Sequence, residues 1–455
     1  MAKAREHWTT RAGFLLATIG SAVGLGSIWK FPYEVGENGG GGFVLFYLLG
    51  LAVIVAPLML AEFAIGRSGQ SDARDSIRDV ARNWGASGSW AAVGMLGIAT
   101  SSLILSFYSV IGGWALAYTV ETILTGLPSG STEDAQRHLD ALLSSPTRTG
   151  IYHTLFMGLT AWIVGRGIAS GIEQAAKVLM PLMAVLMVAL AAYAMLQGDT
   201  AGTIRYMFYF DLDRIEPRVM LEAVGLGFFS IGVGLAVMIT YAAYAGREIN
   251  LVHAAVAAIV CDTAISFLAG FAIFPIVFAN GLDPASGPGL MFVTLPLAFA
   301  GMPLGSTVSF AFFLLLFIAA ITSAISMLEM PVSFARDSFG WPRKKAALVS
   351  ATVIWVVGFS SVFSFNLWRE WFPLSAYPIF ASSTFFDLLD HVTSSIMLPM
   401  GGFAIAIFVG WALPPRFLSQ VLELRTGSAA MLSLALRYLA PAAILAATLA
   451  PMIAN

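Results

Sequence analysis

Glycine residues interrupt an apolar stretch at residues 13–34, where a broken helix would expose backbone groups for binding. Gly20, Gly24 and Gly26 fall within seven residues of one another. Glycine costs about 1 kcal/mol in a helix interior relative to alanine, so we expect the helix to break near residues 22–26. Non-helical backbone inside a membrane is tolerated only where it lines a cavity or binds something. The alternative is an unbroken helix whose small residues pack against a neighbouring helix.

The same anomaly recurs in the apolar stretch at residues 219–246. Four glycines interrupt it: Gly225, Gly227, Gly232 and Gly234. We expect a second break near residues 230–234. This break comes five apolar spans after the first, so the two broken helices run in opposite directions. Interrupted helices at matching positions of two five-span halves are typical of an inverted repeat with a binding site where the breaks meet.

A helix broken in mid-membrane offers two kinds of binding group. The last carbonyls of its first half form a partial negative pole that suits a cation, and the first amides of its second half form a partial positive pole that suits a carboxylate. Two such breaks predict a site for a small zwitterion beside Na⁺. Hydroxyls at Ser230, Thr322 and Ser323 would add oxygen ligands for the ion. Alternatively, Thr322 and Ser323 bond to carbonyls one turn earlier in their own helix.

Four carboxylates lie within or near apolar stretches, at Glu62, Asp262, Glu329 and Asp337. Charged residues inside membrane spans are functional candidates, because burying them in lipid is costly. Asp262 lies deep in its span. It would be either a carboxylate beside a bound cation or a protonated carboxyl in a polar pocket. Asp337 lies near the inner end of its span, where solvation by water explains a charged residue at least as well as a functional role does.

The composition excludes several function classes. Of the 455 residues, 58% are hydrophobic and 11% are charged, whereas soluble domains carry about 25% charged residues, so we expect a membrane protein with many spans. The net charge of −2 argues against a nucleic-acid partner. The single cysteine, Cys261, and five scattered histidines offer no multi-thiolate or paired-histidine metal site. An intramembrane enzyme is therefore disfavoured, and no organic cofactor is expected.

At roughly 20 residues per crossing, the apolar stretches predict an all-α membrane protein with about eleven spans. They lie at residues 13–34, 42–66, 89–124, 150–165, 172–196, 219–246, 251–279, 305–335, 345–363, 384–411 and 429–453. We expect a first five-helix repeat at residues 1–196, an inverted second repeat at 197–411 and an accessory eleventh helix at 412–455. Residues 280–304 are too apolar for a solvated linker and predict a re-entrant or capping loop over an outer vestibule.

Lysine and arginine cluster in alternate connections between the spans, for example at Arg67, Arg166 and Arg247. Cytoplasmic loops carry an excess of these residues, so we expect the amino terminus in the cytoplasm. An odd number of spans then places Asn455 outside. We expect a protein of the cell inner (plasma) membrane that contacts membrane lipid, as a monomer or a homodimer.

Several segments resemble the neurotransmitter:sodium symporter family, which has the leucine-transporter fold. They are REHWTTRAGFLLATIGSAVGLGSIWKFPYEVGENGGGGF at residues 5–43, PLMLAEFAIGR at 57–67, RGIASGIEQAAKVLMP at 166–181, ITYAAY at 239–244 and ITSAIS at 321–326. The resemblance covers essentially the whole chain, and eleven spans match the shorter bacterial members. It implies sodium-coupled symport of an amino acid by alternating access, with two sodium sites.

The resemblance implies ligands for both ions. The second sodium site would use the carbonyls or hydroxyls of five residues: Gly20, Val23, Ala319, Thr322 and Ser323. The first would use four residues beside the substrate carboxylate: Ala22, Ser27, Ser230 and Asp262. The family usually has Asn at positions 27 and 262; Ser27 can still offer a hydroxyl, and Asp262 adds a negative charge. Chloride-dependent members place an anion near this site to balance the sodium charge. Because the Asp262 carboxylate can replace that anion, we expect chloride-independent transport here.

The resemblance also implies a substrate site. Its residues are Ala22, Gly24, Leu25, Gly26, Ile104, Tyr108, Phe229, Ser230, Gly232, Leu235, Ser323 and Met327. The substrate carboxylate would meet the amides near Leu25 and Gly26 and the Tyr108 hydroxyl. Gly24 stands where monoamine carriers place an Asp, which favours an α-amino acid. Because the pocket side chains include no charged group, we expect an apolar or aromatic substrate side chain. Gly232 and Leu235 stand where relatives have bulkier or polar residues, so we expect a large one.

Gates on both sides complete the resemblance. On the inner side Arg5, with Trp8 beside it, would pair with Asp337, and on the outer side Lys30 would pair with Asp390. The family typically has Arg at position 30, and Lys lacks its bidentate fork, so the outer pair should be a weak latch. Two alternatives to a symporter are a channel and a non-transporting, sodium-independent amino-acid receptor. The sequence offers no filter motif for a channel, and the predicted second sodium site argues against a receptor.

Overall fold

Helices make up the regular structure of the chain in the computed structural model, which describes residues 6–126, 131–209, 216–282 and 289–453. The first eight are α1 (Arg11–Ala22), α2 (Gly26–Glu37), α3 (Gly41–Gly69), α4 (Ala73–Asn83), α5 (Gly88–Leu124), α6 (Thr132–Leu143), α7 (Pro146–Gly165) and α8 (Ile168–Gln197). The next six are α9 (Thr200–Phe208), α10 (Pro217–Ile231), α11 (Val237–Ala243), α12 (Leu251–Ala279), α13 (Leu290–Ala300) and α14 (Gly305–Phe339). The last four are α15 (Arg343–Ser364), α16 (Phe385–Ala412), α17 (Arg416–Val421) and α18 (Thr426–Thr448).

The all-α, multi-span fold predicted from the sequence is confirmed. In the described ranges, eight single helices and the bent α1–α2 pair are long and apolar enough to cross a membrane. The two other predicted spans coincide with α7, which has 20 residues, and with the α10–α11 pair. The division into inverted halves at residues 1–196 and 197–411 stays a prediction.

The first helix break lies between α1 and α2, where the glycines predict it. α1 ends at Ala22, Val23 is extended, and the axes of the two helices differ by 50°. A Cβ on Gly26 would lie 2.9 Å from Ser230 Cα on α10. That atom belongs to the backbone and cannot move aside easily, so glycine at this position lets the two broken helices touch.

The second break covers residues 232–236, two residues later than predicted. α10 continues without interruption through Gly225 and Gly227. The chain leaves the helix at Gly232 and Gly234, whose φ angles of +70° and +92° lie in the region that favours glycine. A Cβ on Gly234 would also come within 2.7 Å of the backbone of α16. Counting glycines could not separate those required by the turn from those tolerated in the helix.

A scaffold of long helices surrounds the two breaks. The 35-residue α14 packs along α5, and α12 packs along α8. We call the side of the amino terminus inner and the opposite side outer. Residues 283–288 of the predicted capping loop lie outside the described residues. The remainder forms α13, which is buried at the outer end, where Phe292 O accepts a hydrogen bond from Tyr118 Oη at 3.1 Å.

Candidate functional site

A small cavity of about 50 Å³ lies where the two helix breaks meet. Eleven of the twelve residues predicted to contact substrate line it, and Ala22 is the exception. The breaks supply part of its lining, and α5 and α14 supply walls through Ile104, Tyr108, Ser323 and Met327. With Leu398 of α16, the fold thus brings residues from five separate stretches of the sequence around one space.

Five residues that the sequence analysis did not predict also line the cavity: Ser21, Ile231, Val237, Ser326 and Leu398. The Ser21 hydroxyl donates to Ser326 Oγ at 2.9 Å and so joins α1 to α14. Ser21 lies among the glycines of the first break, which was a usable signal. No sequence signal marked Leu398, because it is an ordinary apolar residue within the apolar helix α16.

One side of the cavity is polar. The Leu25 amide donates to Tyr108 Oη at 3.4 Å, one residue before α2 begins. A Cβ on Gly24 would lie only 2.6 Å from Ser323 Oγ and 3.3 Å from Tyr108 Oη. Any larger residue at position 24 would therefore collide with cavity-lining groups. The start of α2 carries a partial positive charge and unpaired amides, which suit a carboxylate.

The rest of the cavity is apolar. Its walls include Ile104, Phe229, Leu235, Met327 and Leu398, and none of the described lining residues carries a charge. A charged substrate side chain would lose its hydration here without gaining an ionic partner, which is costly. The cavity therefore suits a small molecule with one polar end and one apolar end.

A cluster of oxygen atoms lies beside the cavity, centred on Asp262 of α12. The carboxylate is fully buried and accepts hydrogen bonds from the hydroxyls of Ser27, Ser230 and Tyr47, the last two at 3.1 and 3.2 Å. Ser27 Oγ and Ser230 Oγ lie 3.0 Å apart. Three of the four residues predicted for the first sodium site thus meet directly. Ala22, the fourth, ends α1, where helix carbonyls lack partners and can bind a cation.

The residues predicted for the second sodium site lie where α1 faces α14. Ser323 Oγ lies 3.5 Å from Val23 O, and a Cβ on Gly20 would contact Thr322 Cβ at 3.4 Å. Thr322 Oγ1 donates within α14 to Ile318 O, four residues earlier, at 3.1 Å, which is the alternative considered from the sequence, and it also lies 3.0 Å from Ala319 O. This bond uses the hydroxyl proton and leaves oxygen lone pairs for a cation. The geometry is compatible with both roles, and the ion site stays a prediction.

Glu62 of α3 supports the second break from outside the cavity. Its carboxylate accepts hydrogen bonds from the amides of Gly234 at 2.7 Å and Met238 at 3.2 Å, and the side chain is fully buried. Negative charge is favourable at the start of a helix such as α11. The sequence marked Glu62 as a charge within a span. It could not show the partners, because backbone amides carry no sequence signature.

The predicted inner pair of Arg5 and Asp337 stays a prediction. Arg5 lies outside the described residues, and Asp337 accepts hydrogen bonds from the Asp72 amide at 2.9 Å and the Ser71 hydroxyl at 3.2 Å. Trp8 is buried, and its indole donates to Tyr241 O at 3.0 Å. Trp8 therefore joins the start of the chain to α11, on the inner side of the second break.

Glu6 carries ion pairs on the inner side that the sequence analysis did not predict. It pairs with Arg336 at 3.2 Å and with Arg343 at 3.0 Å, and Arg343 also bonds to the buried Glu329 at 2.9 Å. Glu329 was singled out from the sequence as a charge within a span. Its partner comes from the first turn of α15, where Arg343 is one of three consecutive cations.

The predicted outer pair is not formed in this structure. Lys30 Nζ lies 4.5 Å from the centre of the Phe229 ring, and Asp390 accepts a hydrogen bond from the Ser394 hydroxyl at 2.7 Å. An ammonium over an aromatic face is attracted by the ring quadrupole, so each group has a different partner. A gating role for Lys30 and Asp390 stays a prediction.

Comparisons with known proteins agree with this architecture. A profile of the Sodium:neurotransmitter symporter family matches residues 5–147 and 135–454. The uncharacterized sodium-dependent transporter YhdH of Bacillus subtilis is 34% identical over 93% of this chain and 91% of its own length. The sodium-dependent dopamine transporter of Bos taurus is 27% identical over 90% of this chain and 63% of its own length.

A solved structure is also similar over the full length. It is that of MhsT in complex with L-phenylalanine, which matches with a TM-score of 0.89 and 41% identity over 98% of this chain and 99% of that one. Profile, relatives and structure agree with the resemblance found in the sequence. The chain therefore belongs to the sodium:neurotransmitter symporter family, whose members are sodium-coupled membrane transporters.

Proposed function

We propose that this transporter couples the movement of Na⁺ to uptake of a large apolar or aromatic amino acid by alternating access. The observation that carries the proposal is the cavity between the two breaks. Its polar side is formed by the start of α2 and Tyr108, and its remaining wall is apolar and uncharged. An α-amino acid with an apolar side chain presents its charged groups and its apolar group in the same arrangement.

Coupling would follow because the proposed ion site and the proposed substrate site share Ser230. Ser230 lines the cavity and also bonds to Asp262, so an Na⁺ held there would lie beside the substrate carboxylate. Opposite charges a few ångströms apart attract strongly in a poorly solvated site. Each ligand then raises the affinity for the other by the same factor. Substrate accumulation would thereby be driven by the Na⁺ gradient.

A second Na⁺ would act on the conformation. Bound between Val23 on one side and Thr322 and Ser323 on the other, it would hold α1 against the scaffold helix α14. Release of that ion would free α1 to move. The breaks provide flexible points for such motion, because the half-helices on either side can tilt separately.

The size of the proposed substrate rests on the cavity wall at Gly232. Gly232 has no side chain there, and a Cβ at this position would touch Leu235 Cδ1 at 3.3 Å. Glycine thus leaves room that a larger residue would fill. The similarity to MhsT, solved with L-phenylalanine, supports the same size class.

The proposal includes chloride independence and an orientation. The Asp262 carboxylate supplies the negative charge that would otherwise require a bound anion. From the distribution of Lys and Arg, we infer an inner-membrane protein with a cytoplasmic amino terminus and Asn455 outside. It would act as a monomer or a homodimer.

A scintillation-proximity screen of the twenty amino acids, with and without Na⁺, tests the proposal. We expect sodium-dependent binding with competition by Leu, Met, Phe, Tyr or Trp. Failure of all five to compete would refute the substrate class. Sodium-independent binding without uptake into proteoliposomes under an Na⁺ gradient would instead support the alternative, a non-transporting receptor.

A further inference from the structure

Three cations at the inner ends of α7 and α15 have no carboxylate partner. Arg166 directly follows α7, and Lys344 and Lys345 lie in the first turn of α15. All three are exposed, and none forms an ion pair within the part of the chain that the structure describes. They leave a surplus of positive charge on one surface.

The three cations lie on one surface because α7 and α15 are held side by side. Arg343 Nε donates to Val164 O at 2.8 Å, which ties the start of α15 to the end of α7. A Cβ on Gly165 would lie 3.7 Å from Ala347 Cβ, so the two helices are in contact at this level. Arg166 directly follows Gly165 at the end of α7, and Lys344 directly follows Arg343 in α15.

Two acids that contact the start of α15 are already paired with other cations. Glu6 is shared between Arg336 at 3.2 Å and Arg343 at 3.0 Å. The buried Glu329 pairs with Arg343. The charges of Arg166, Lys344 and Lys345 are therefore left for a ligand from outside the chain.

Aromatic and apolar side chains adjoin the cations on the surface that faces lipid. Arg166 lies over the Trp162 ring at 4.9 Å, and Lys345 lies over the Trp341 ring at 4.7 Å. Trp162 is 59% exposed, and Leu348, one turn beyond Lys344, is 65% exposed. Tryptophan is enriched at the boundary between hydrocarbon and headgroups. At the inner end of α7 the aromatic Trp162 thus precedes the cationic Arg166, and on α15 the apolar Leu348 lies nearer the membrane centre than the two lysines.

We propose that Arg166, Lys344 and Lys345 form a binding site for the headgroup of an anionic phospholipid in the inner leaflet. The guanidinium and two ammonium groups would bind the phosphate oxygens, since charge-assisted bonds to phosphate are strong. Basic pockets between membrane helices on the cytoplasmic side are suited to such headgroups. Lysine and arginine that only set membrane orientation need not lie at the ends of two helices in contact or over aromatic rings.

Native mass spectrometry of the purified full chain with added phosphatidylglycerol tests the site. We expect the wild-type protein to retain bound phosphatidylglycerol and to bind phosphatidylcholine more weakly. The triple variant Arg166→Gln/Lys344→Gln/Lys345→Gln should lose at least about tenfold in apparent affinity, given the contribution of each cation near an anionic surface. Lys344→Arg/Lys345→Arg keeps the charges and should bind as the wild type does.

A matched control removes three other exposed cations: Arg369→Gln/Arg416→Gln/Arg425→Gln. It changes the net charge equally and should leave phosphatidylglycerol binding unchanged. Gel filtration and thermal unfolding without added lipid verify folding, and Arg166→Gln alone should weaken binding by about fivefold if the triple variant does not fold. Equal binding by the triple variant and the control would refute the site. Equal affinity for phosphatidylcholine and phosphatidylglycerol would also refute the site. Displacement of the lipid by millimolar inorganic phosphate would show that the site binds free phosphate instead.

Discussion

Asp262 places a full negative charge in a cluster where the other side-chain groups are neutral hydroxyls. Its carboxylate is buried against Ser27, Ser230 and Tyr47. A buried charge is costly unless it is paired, and in the described part of the chain no Lys or Arg forms an ion pair with it. A bound Na⁺ would supply the missing positive charge. The residue thus links the fold to the choice of ion.

Replacing Asp262 by Asn should lower the apparent affinity for Na⁺ by at least about tenfold, because one charge–charge interaction is lost in a site shielded from water. The variant should also acquire stimulation by chloride, since an anion can then restore the missing charge. Sodium-dependent binding of the best amino-acid ligand, measured with chloride or gluconate as the anion, checks both effects.

Thr322→Ala is the matched comparison for the other proposed ion site. It removes a hydroxyl between α1 and α14 and no charge, so Na⁺ affinity should fall without any response to chloride. Equal chloride sensitivity of the two variants, or unchanged Na⁺ affinity in Asp262→Asn, would show that Asp262 does not serve the ion.

The sequence pointed to cavity-lining residues where the residue type is unusual for its surroundings. Glycines and hydroxyls in apolar spans marked Gly24, Ser230 and Ser323, and all three line the cavity. It gave no signal for contacts that are decided by packing alone. Leu398 is an ordinary apolar residue in an apolar helix, and Lys30 lies over Phe229 instead of beside a carboxylate.

Contact between the two broken helices is the central feature at the scale of elements. Gly26 lies against the backbone at Ser230, and Glu62 fixes the far side of the second break through two amides. The breaks are therefore held from both sides, so that carbonyls and amides exposed there stay directed at the cavity and the oxygen cluster.

Gly26→Ala should weaken sodium-dependent substrate binding by at least about tenfold. The added methyl would meet backbone at 2.9 Å, and overpacking of this kind costs about 1–3 kcal/mol. Gly225→Ala is the matched control in α10, because a Cβ there has nothing within 4 Å. It should bind substrate normally and unfold at a slightly higher temperature. Equal binding by the two variants would contradict the proposed contact.

The turn before α4 should make stability depend on pH. Asp72 caps α4 by accepting a hydrogen bond from the Arg74 amide at 3.0 Å. Burial, with the charges of Asp75 and Asp337 adding to it, raises the pKa of the Asp72 carboxyl to about 6, against about 3.9 in an unfolded chain. The folded protein therefore binds this proton more tightly, and the unfolding free energy gains from Asp72 as pH falls from about 6 to about 4.

Asp72→Asn keeps an N-cap residue but cannot titrate. At about pH 7.5 the variant should be more stable than the wild type by about 1–3 kcal/mol, and the difference should shrink towards about pH 4. Thermal unfolding of both proteins across this range measures the effect. A constant difference at all pH values would show that the Asp72 carboxyl keeps an ordinary pKa.

The elements themselves were largely predictable from sequence because span length and apolarity are imposed by the membrane. The position of the second break was not, since the left-handed turn uses Gly232 and Gly234 and leaves Gly225 within α10. Which glycine turns the chain depends on the close approach of α16, and that contact is absent from any local pattern.

At the scale of the whole molecule, the start of the chain closes the inner side by contacts with several helices. Glu6 pairs with Arg336 of α14 and Arg343 of α15, and its carboxylate also accepts the Ile168 amide of α8 at 3.1 Å. Trp8 adds the bond to α11. An alternating-access cycle would require these contacts to open together. Each of these contacts is weak by itself, which suits a set of contacts that must break and re-form in every transport cycle.

Glu6→Gln should release this closure while leaving the cavity intact. Each partly exposed ion pair contributes about 0–1 kcal/mol, so losing two should raise the inward-open population by up to about thirtyfold. Hydrogen–deuterium exchange of residues 6–22 should become faster, and sodium-driven uptake into proteoliposomes should fall. Glu248→Gln, an exposed acid after α11, is the matched control and should change neither. Unchanged exchange in Glu6→Gln, or the same loss of uptake in both variants, would show that Glu6 does not hold the inner side closed.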